Sequence, residues 1–394
     1  MSKQTKKTLD LKAAKDLLQK TLNDLQDEKS INLPEDVVKI DNLNRKDALN
    51  NLYGIVNDLI EQIQISGRPV LEIPSRSSKN IIWDEENDLL LLGKQISAKQ
   101  FHSLTSVSDL TRLIRILEII HQLLQKDMHA TKREVYYTDV KLFEDQSNSD
   151  KGIEDAATVL KTTRNATHIV ASAKGSCIGR LRIRDKTDII DLEGLGSGGW
   201  TISPMLDNIE ILESDAEFIL VVEKDAAMIR LAEDRFWRKY PCIIVTGKGA
   251  ADIATRMFLK QMNRELNLPV FCLVDSDPYG HYIYSVYLRG SKRLSYESPF
   301  LATPDMKLLG VLSRDLDKYK IPENCRLTLN KQDIKRTQEM LKEDFVRSNK
   351  EWVKDLQLML KSKVKAEIQA LSSHGFEFLT EKYLPEKLTT GDWL

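Results

Sequence analysis

Cysteine is scarce in this chain of 394 residues: there are four, Cys177, Cys242, Cys272 and Cys325, and no two stand in a CxxC spacing. Two of them, Cys242 and Cys272, sit inside apolar runs as small core residues. The pattern is that of a reduced, intracellular protein rather than a disulfide framework, and a cytoplasmic location is expected. Net charge is also lacking. With 58 basic and 59 acidic residues the chain carries −1, so any nucleic-acid footprint has to be local. No apolar run approaches the roughly 20 residues of a membrane span, so no membrane association is expected. The opening MSKQTKKTLDLKAAKDLL lacks the apolar stretch of a secretory signal. A P-loop, GxxxxGK[ST], is absent as well, which argues against nucleotide hydrolysis by this chain itself.

What is present centres on Glu217 to Tyr284. Three almost uninterrupted apolar runs, Phe218 to Val222, Cys242 to Val245 and Val270 to Val274, alternate with two amphipathic segments. This is the pattern of parallel strands buried on both faces with crossover helices, a βαβαβ unit. Glu223 follows the first run, and Asp275 and Asp277 follow the third. These acids therefore fall at the carboxyl ends of their strands, where open α/β sheets hold ligands. Hard oxygen ligands without a Cys or His cluster point to Mg²⁺ rather than zinc.

Upstream, residues 1 to about 65 read as helical. Leu9, Leu11, Ala14, Leu17 and Leu18 line one helix, and Leu49, Leu52, Ile55, Val56, Leu59 and Ile63 line another, with a link around Pro34. These helices either cap a core or dock a partner. Leu71 to Gly93 reads as strands with a turn at Asp84 to Asp88. Its Ser75, Arg76, Ser77 and Ser78 could touch phosphate or form a plain polar loop.

From Ser106, the positions Leu110, Leu113, Ile114, Leu117, Ile120 and Leu124 give a helical stripe ending near Lys126. After a short turn, Thr131 and Glu134 form a capping box at the start of a second helix. The result is a helix-turn-helix candidate. On its second helix Arg133 and Tyr137 are four apart and share a face. A guanidinium there can favour a phenolate or steady a phosphate charge, and the alternative is two exposed tyrosines on an ordinary helix.

Phe143 to Lys151 reads as a polar connecting loop. Gly247, Lys248 and Gly249 precede a helix and either bind phosphate or make a tight turn, with Arg256 as a further candidate. Gly194, Gly196, Gly198 and Gly199 fit a turn or close packing, and His281 a helix surface. Trp352, Leu356, Met359, Leu360, Val364, Ile368 and Leu371 suggest one long amphipathic helix with Gly375 at its C-cap.

Taken together, REVYY, EIPSRS, GSGGW, VVEKDA, EDRFW, VTGKG, DSDPYG and the tail VKAEIQALSSHGFEFLTEKYLPEKL resemble the A-subunit family of DNA topoisomerase VI. This type IIB family also includes the meiotic double-strand-break transesterase, and the resemblance covers about residue 45 to about residue 388.

The resemblance implies a mixed α/β, multidomain fold: a helix-turn-helix or winged-helix domain followed by a Rossmann-like Toprim domain with a parallel sheet. The expected divisions are a helical region at 1–68 for B-subunit docking, a winged-helix cleavage domain at 69–150, a linker with strands at 151–210, and the Toprim domain with its C-terminal helical extension at 211–394. Tyr137 matches the nucleophile, with Arg133 as its activating neighbour. Glu223, Asp275 and Asp277 match the acids for Mg²⁺, and Lys248, Arg256 and Arg76 are candidates for DNA contact.

The implied activity is Mg²⁺-dependent transesterification on double-stranded DNA, forming a 5′-phosphotyrosyl double-strand break for strand passage and supercoil relaxation. Tyr137 of one protomer is expected to meet the metal acids of another in a homodimer. ATP enters only through a B subunit in an A2B2 heterotetramer, and the protein is expected in the cytoplasm associated with the nucleoid, or in the nucleus if its source is a eukaryote. The alternatives are a break-forming transesterase without strand passage and a non-catalytic DNA-binding scaffold.

Overall fold

The computed structural model describes residues 13–18, 20, 32–172 and 174–394. Leu9 and Leu11 of the first stripe lie outside the described residues, whereas Ala14 and Leu18 are buried beneath one face of the C-terminal sheet. No helix among the described residues is long and apolar enough to cross a membrane.

The N-terminal module is built on helices. The first, α1 (Arg45–Ser66), starts where the Asn44 side chain accepts from Asp47 N–H and stops at left-handed Gly67. Next comes α2 (Val107–Lys126), which buries Leu110, Leu113, Leu117, Ile120 and Leu124, as its periodicity predicts, and ends at Asp127 in the left-handed region. A two-residue strand, Ala130–Thr131, runs parallel to Ile169–Val170 and sets the turn into α3 (Lys132–Thr138). Strand Val70–Pro74 pairs antiparallel with Ile96–Gln100, and Ile81–Asp84 pairs with Leu89–Leu92 across the expected turn.

The expected loop from Phe143 to Lys151 is instead largely helical, because Asp145 caps α4 (Gln146–Val159) by accepting from Ser147 N–H. Polar residues fill the first six positions of α4, Gln146 to Lys151, and apolar ones follow among Glu154 and Asp155. Its Ile153 and Ala156, with Leu160 just beyond, join the core of α1 and α2, so the helical module continues past the division expected at 150.

The C-terminal half is built on a six-stranded sheet: β1 (Ser176–Gly179), β2 (Trp200–Thr201), β3 (Phe218–Val222), β4 (Cys242–Thr246), β5 (Val270–Leu273) and β6 (Lys307–Gly310). Their order is β2-β1-β4-β3-β5-β6. β3 lies between β4 and β5, parallel to both, and β6 continues the parallel set, while β1 joins β4 antiparallel. The crossovers are α5 (Asp225–Glu233) and α6 (Ile253–Leu266), and α7 (Pro278–Arg289) follows β5.

Alternation divides the apolar runs between two cores. Ile219, Val221, Ile243, Val245 and Cys272 face α6 and α7, whereas Phe218, Leu220, Ile244, Phe271 and Leu273 face α5 and the C-terminal residues Tyr383, Leu384 and Leu388. Within the Gly-rich segment, Gly199 is left-handed and a Cβ there would stand 2.7 Å from the Cys177 carbonyl oxygen, a close approach only glycine permits.

Two expectations fail in the C-terminal half. The long helix ends at Ser362, and Lys363 turns left-handed, because the chain then pairs as a strand: Val364–Lys365 with Leu327–Thr328, and Ala366 with Ser276. Gly375 instead follows a 3₁₀ segment, Ile368–His374. His281 is not on a surface. It is fully buried, its Nδ1 accepts from Trp352 Nε1 at 3.0 Å, and its Nε2 lies 3.4 Å from Asp355 Oδ2.

Charge joins the two halves. Buried Glu154 of α4 binds Arg76 on one side and Arg293, after α7, on the other, where Nε is 2.8 Å from Oε1. Arg76 also reaches Asp155 at 2.8 Å, so its guanidinium faces the interior and is not available as a phosphate contact. Removing Glu154 leaves two guanidiniums without their shared acid. Glu154→Ala should destabilise the protein by about 3 kcal/mol in urea unfolding, and a change within about 0.5 kcal/mol, the scatter of surface variants, would contradict that role.

Candidate active site

Glu223, directly after β3, and Asp275, two residues after β5, project from adjacent parallel strands. Glu223 is 6% exposed and Asp275 5%. Glu223 Oε2 accepts the Asp275 backbone N–H at 2.9 Å, so one acid holds the peptide that carries the other. Asp275 Oδ1 accepts from Ile368 N–H at 2.9 Å. That donor is brought in by the C-terminal strand, whose Ala366 exchanges both backbone hydrogen bonds with Ser276. Gly280 in the first turn of α7 also packs on this peptide: a Cβ there would lie 2.4 Å from the Asp275 carbonyl oxygen.

Asp277 is half-buried, and its Oδ1 caps α7 by accepting from Gly280 N–H at 2.7 Å. Asp275 Oδ2 meets Lys224 Nζ at 2.7 Å, and the same ammonium reaches Glu367 Oε2 at 2.9 Å. Neither Lys224 nor Glu367 stood out as a site residue in the sequence. Lys224 adjoins the acid in VVEKDA, while Glu367 gives no local signal because the pairing of Ala366 with Ser276 delivers it.

Burial, followed by the neighbouring Asp275 charge, pushes the Glu223 carboxyl up to about 7. Burial also raises Asp275, against the opposing hydrogen bonds from Lys224 and Ile368 N–H. Among the described residues no three His, Cys, Asp or Glu side chains already stand as a metal-ligating cluster. Lys224 covers one oxygen of Asp275, and Asp277 is turned to its cap. The donor set is oxygen only, and one ammonium does not balance two buried carboxylates, so these residues fit a hard divalent cation.

The stretch from Gly247 to Gly249 folds back on the crevice: Gly249 N–H donates to the Glu223 carbonyl at 2.7 Å, so this amide is not available to a phosphate. Lys248 stays partly exposed, 3.5 Å from Asp225. Arg256 is 2% exposed, with Nε and Nη1 unpartnered among the described residues. It lies in the interior and does not form a DNA-facing surface.

The second cluster is on α3. Thr131 Oγ1 accepts from Glu134 N–H at 3.2 Å, and the Glu134 carboxylate accepts from Thr131 N–H at 2.6 Å, which completes the expected capping box. The two tyrosines then diverge. Tyr136 packs on the helical core and donates its hydroxyl to the Glu144 carbonyl at 3.3 Å. Tyr137 is 61% exposed, and its hydroxyl has no hydrogen bond among the described residues. The Arg133 guanidinium carbon lies 5.9 Å from the Tyr137 ring centre.

An open sheet with buried acids at its parallel strand ends, joined to a helical module presenting an arginine–tyrosine pair, defines a multidomain α/β protein with a Toprim-type crevice. Residues 218–388 match the family model described as the Toprim domain of Spo11 and of the topoisomerase 6 A subunit. Residues 108–169 match type IIB DNA topoisomerase, and 174–215 the all-beta domain of the alpha chain of DNA topoisomerase VI.

The A subunit of DNA topoisomerase 6 from Arabidopsis thaliana is 52% identical over 322 residues, 82% of this chain and 75% of that protein. The A subunit of type 2 DNA topoisomerase 6 from Aeropyrum pernix is 38% identical over 372 residues, covering 88% and 95%. Mouse meiotic recombination protein SPO11 is 36% identical over 352 residues, covering 88% and 89%. The chain belongs to the family formed by Spo11 and the topoisomerase VI A subunits.

The raised Glu223 carboxyl has a consequence for stability. Between its ordinary 4.5 and about 7, the folded state holds a proton that the unfolded state has released, so metal-free stability falls as pH rises through that window. Glu223→Gln removes the loss. With chelator present, the variant should exceed the parent by on the order of 2 kcal/mol at about pH 8 and by little near pH 4.5 in urea unfolding. Equal stability of variant and parent at the higher pH would contradict this.

Proposed function

We propose that this chain is the DNA-cleaving and religating subunit of an ATP-dependent type IIB topoisomerase, acting as a homodimer with two B subunits. The observation that carries the reading is the divergence of the two tyrosines within a family of this kind. Tyr137 offers an exposed phenol beside Arg133, while Tyr136 is engaged by its own module.

The Tyr137 oxygen attacks a DNA phosphorus. The new O–P bond replaces the bond to the 3′-oxygen, which leaves with a proton, while the phenol proton is lost to solvent. The product is a 5′-phosphotyrosyl link, and reversal reseals the strand. Arg133 acts by charge and position, since a guanidinium keeps its proton. Glu223 and Asp275, with Asp277 directly or through water, would hold Mg²⁺, which when bound supplies charge neutralisation at the phosphate. Glu223 and Asp275 contribute by keeping their oxygens fixed at the ends of β3 and β5. Lys248, the one expected DNA contact that remains partly exposed, lies at the rim.

The two clusters belong to different modules, and no hydrogen bond or ion pair among the described residues joins α3 to the acids. This supports Tyr137 of one protomer meeting the acids of another. For the B subunit, α1 offers Val56, Ile60 and Ile63 as an exposed apolar stripe at helical spacing. Strand passage would then follow from coupling to ATP hydrolysis in that subunit.

The test is relaxation of supercoiled DNA with the B subunit, Mg²⁺ and ATP. Tyr137→Phe should lower the rate by at least about 10³-fold, whereas Tyr136→Phe should lower it by less than about tenfold. Relaxation that survives in Tyr137→Phe would refute the nucleophile. Ile60→Asp should reduce copurification of the B subunit, and full stoichiometry would remove α1 from that interface. Cleavage without any relaxation in the parent complex would favour the break-forming alternative.

A further inference from the structure

We propose that Lys224 is the resident cation of the acid crevice, exchanged against a divalent metal, and that Glu367 retains its ammonium at the rim once Asp275 is released. This rests on the metal-site reading above and specifies what the ion has to displace.

Both oxygens of Asp275 are engaged, one by Ile368 N–H at 2.9 Å and the other by Lys224 Nζ at 2.7 Å. The backbone amide is fixed by the pairing of Ala366 with Ser276 and cannot leave without unzipping that pair. The ammonium, on a four-carbon stem, can. A cation that takes Asp275 Oδ2 therefore removes Lys224.

Where the lysine goes is set by an exposure gradient. The Asp275 side chain is 6% exposed, that of Lys224 28% and that of Glu367 55%. Glu367 Oε2 already lies 2.9 Å from Nζ, so the ammonium can keep one partner while it gives up the other. Two carboxylates, Asp275 and Glu367, share this ammonium, and Glu223 lies beside them with the Asp275 amide as its donor. A dication entering between Glu223 and Asp275 supplies the charge that one lysine does not. Lys224 thus sets the metal concentration at which the crevice fills, and Glu367 lowers it by giving the displaced lysine a place to stay.

Metal binding to the full chain without DNA tests this directly, with Mg²⁺ titrated by calorimetry and Mn²⁺ by electron paramagnetic resonance. Lys224→Met, and independently Lys224→Gln, should tighten binding by about tenfold. Glu367→Gln should weaken it by about threefold when Lys224 is present and by less than about 1.5-fold in a Lys224→Met background, because its effect passes through the lysine.

Unchanged or weaker binding in both Lys224 variants would overturn the proposal. So would equal weakening by Glu367→Gln in the two backgrounds, which would make Glu367 a direct ligand. Unfolding midpoints in chelator confirm that each variant is folded. A Glu223→Gln, Asp275→Asn double variant that still binds metal as the parent does would refute the metal-site reading itself. Loss of binding in that double variant, with no response to Lys224→Met, would refute only the exchange.

Discussion

Two carboxylates buried on neighbouring strand ends, with one ammonium between them and the solvent, are the constraint around which the C-terminal half is arranged. An uncompensated charge in a protein interior is costly, and two of one sign are more so. The fold answers with backbone donors where it can. Glu223 is held by the Asp275 amide and Asp275 by the Ile368 amide, and the C-terminal strand pairs with Ser276 just beyond β5 to supply the latter. Gly280 lets α7 approach the same peptide. What remains uncompensated is the affinity of the crevice for a cation.

The tyrosine cluster is built on the opposite plan. α3 has seven residues, too short to be stable alone, and it is fixed by its capping box and by burial of Val135. Tyr136 ties the helix to the core, which leaves the next residue, about 100° further round, facing outward. In the proposed mechanism the outward phenol of one module meets the recessed acid pair of another across a homodimer, so that the dimer belongs to the chemistry and not only to the assembly.

Much of this was legible in the sequence, for definite reasons. Apolar runs ending in Glu223 and Asp275 can be little else than buried parallel strands with acids at their carboxyl ends, and Thr131 with Glu134 marks a helix start because capping is local. The failures share a different cause. Arg76, Arg256 and His281 look like surface residues until distant partners or burial are known: Glu154 and Asp155 for Arg76, the interior beneath α6 for Arg256, and Trp352 for His281. Val364, Ile368 and Leu371 continue a helical period by coincidence, and only the edge offered by Ser276 turns that stretch into the strand that brings Glu367 to the crevice. Lys224 could be read as a letter beside an acid, but not as the partner of Asp275.

In the proposed reaction Tyr137 of one chain works with Glu223 and Asp275 of another. Mixed dimers test it most directly: chains carrying Tyr137→Phe are assembled with differently tagged chains carrying Glu223→Gln, the mixed species is purified with the B subunit, and supercoiled DNA is supplied. Sites composed across the dimer leave one intact tyrosine facing one intact acid pair, so single-strand nicks with a covalently linked protein are predicted, while the Tyr137→Phe and Glu223→Gln homodimers each leave the DNA uncut. A mixed dimer as inert as the homodimers would contradict the account, since it would mean that the phenol and the acids must come from the same chain.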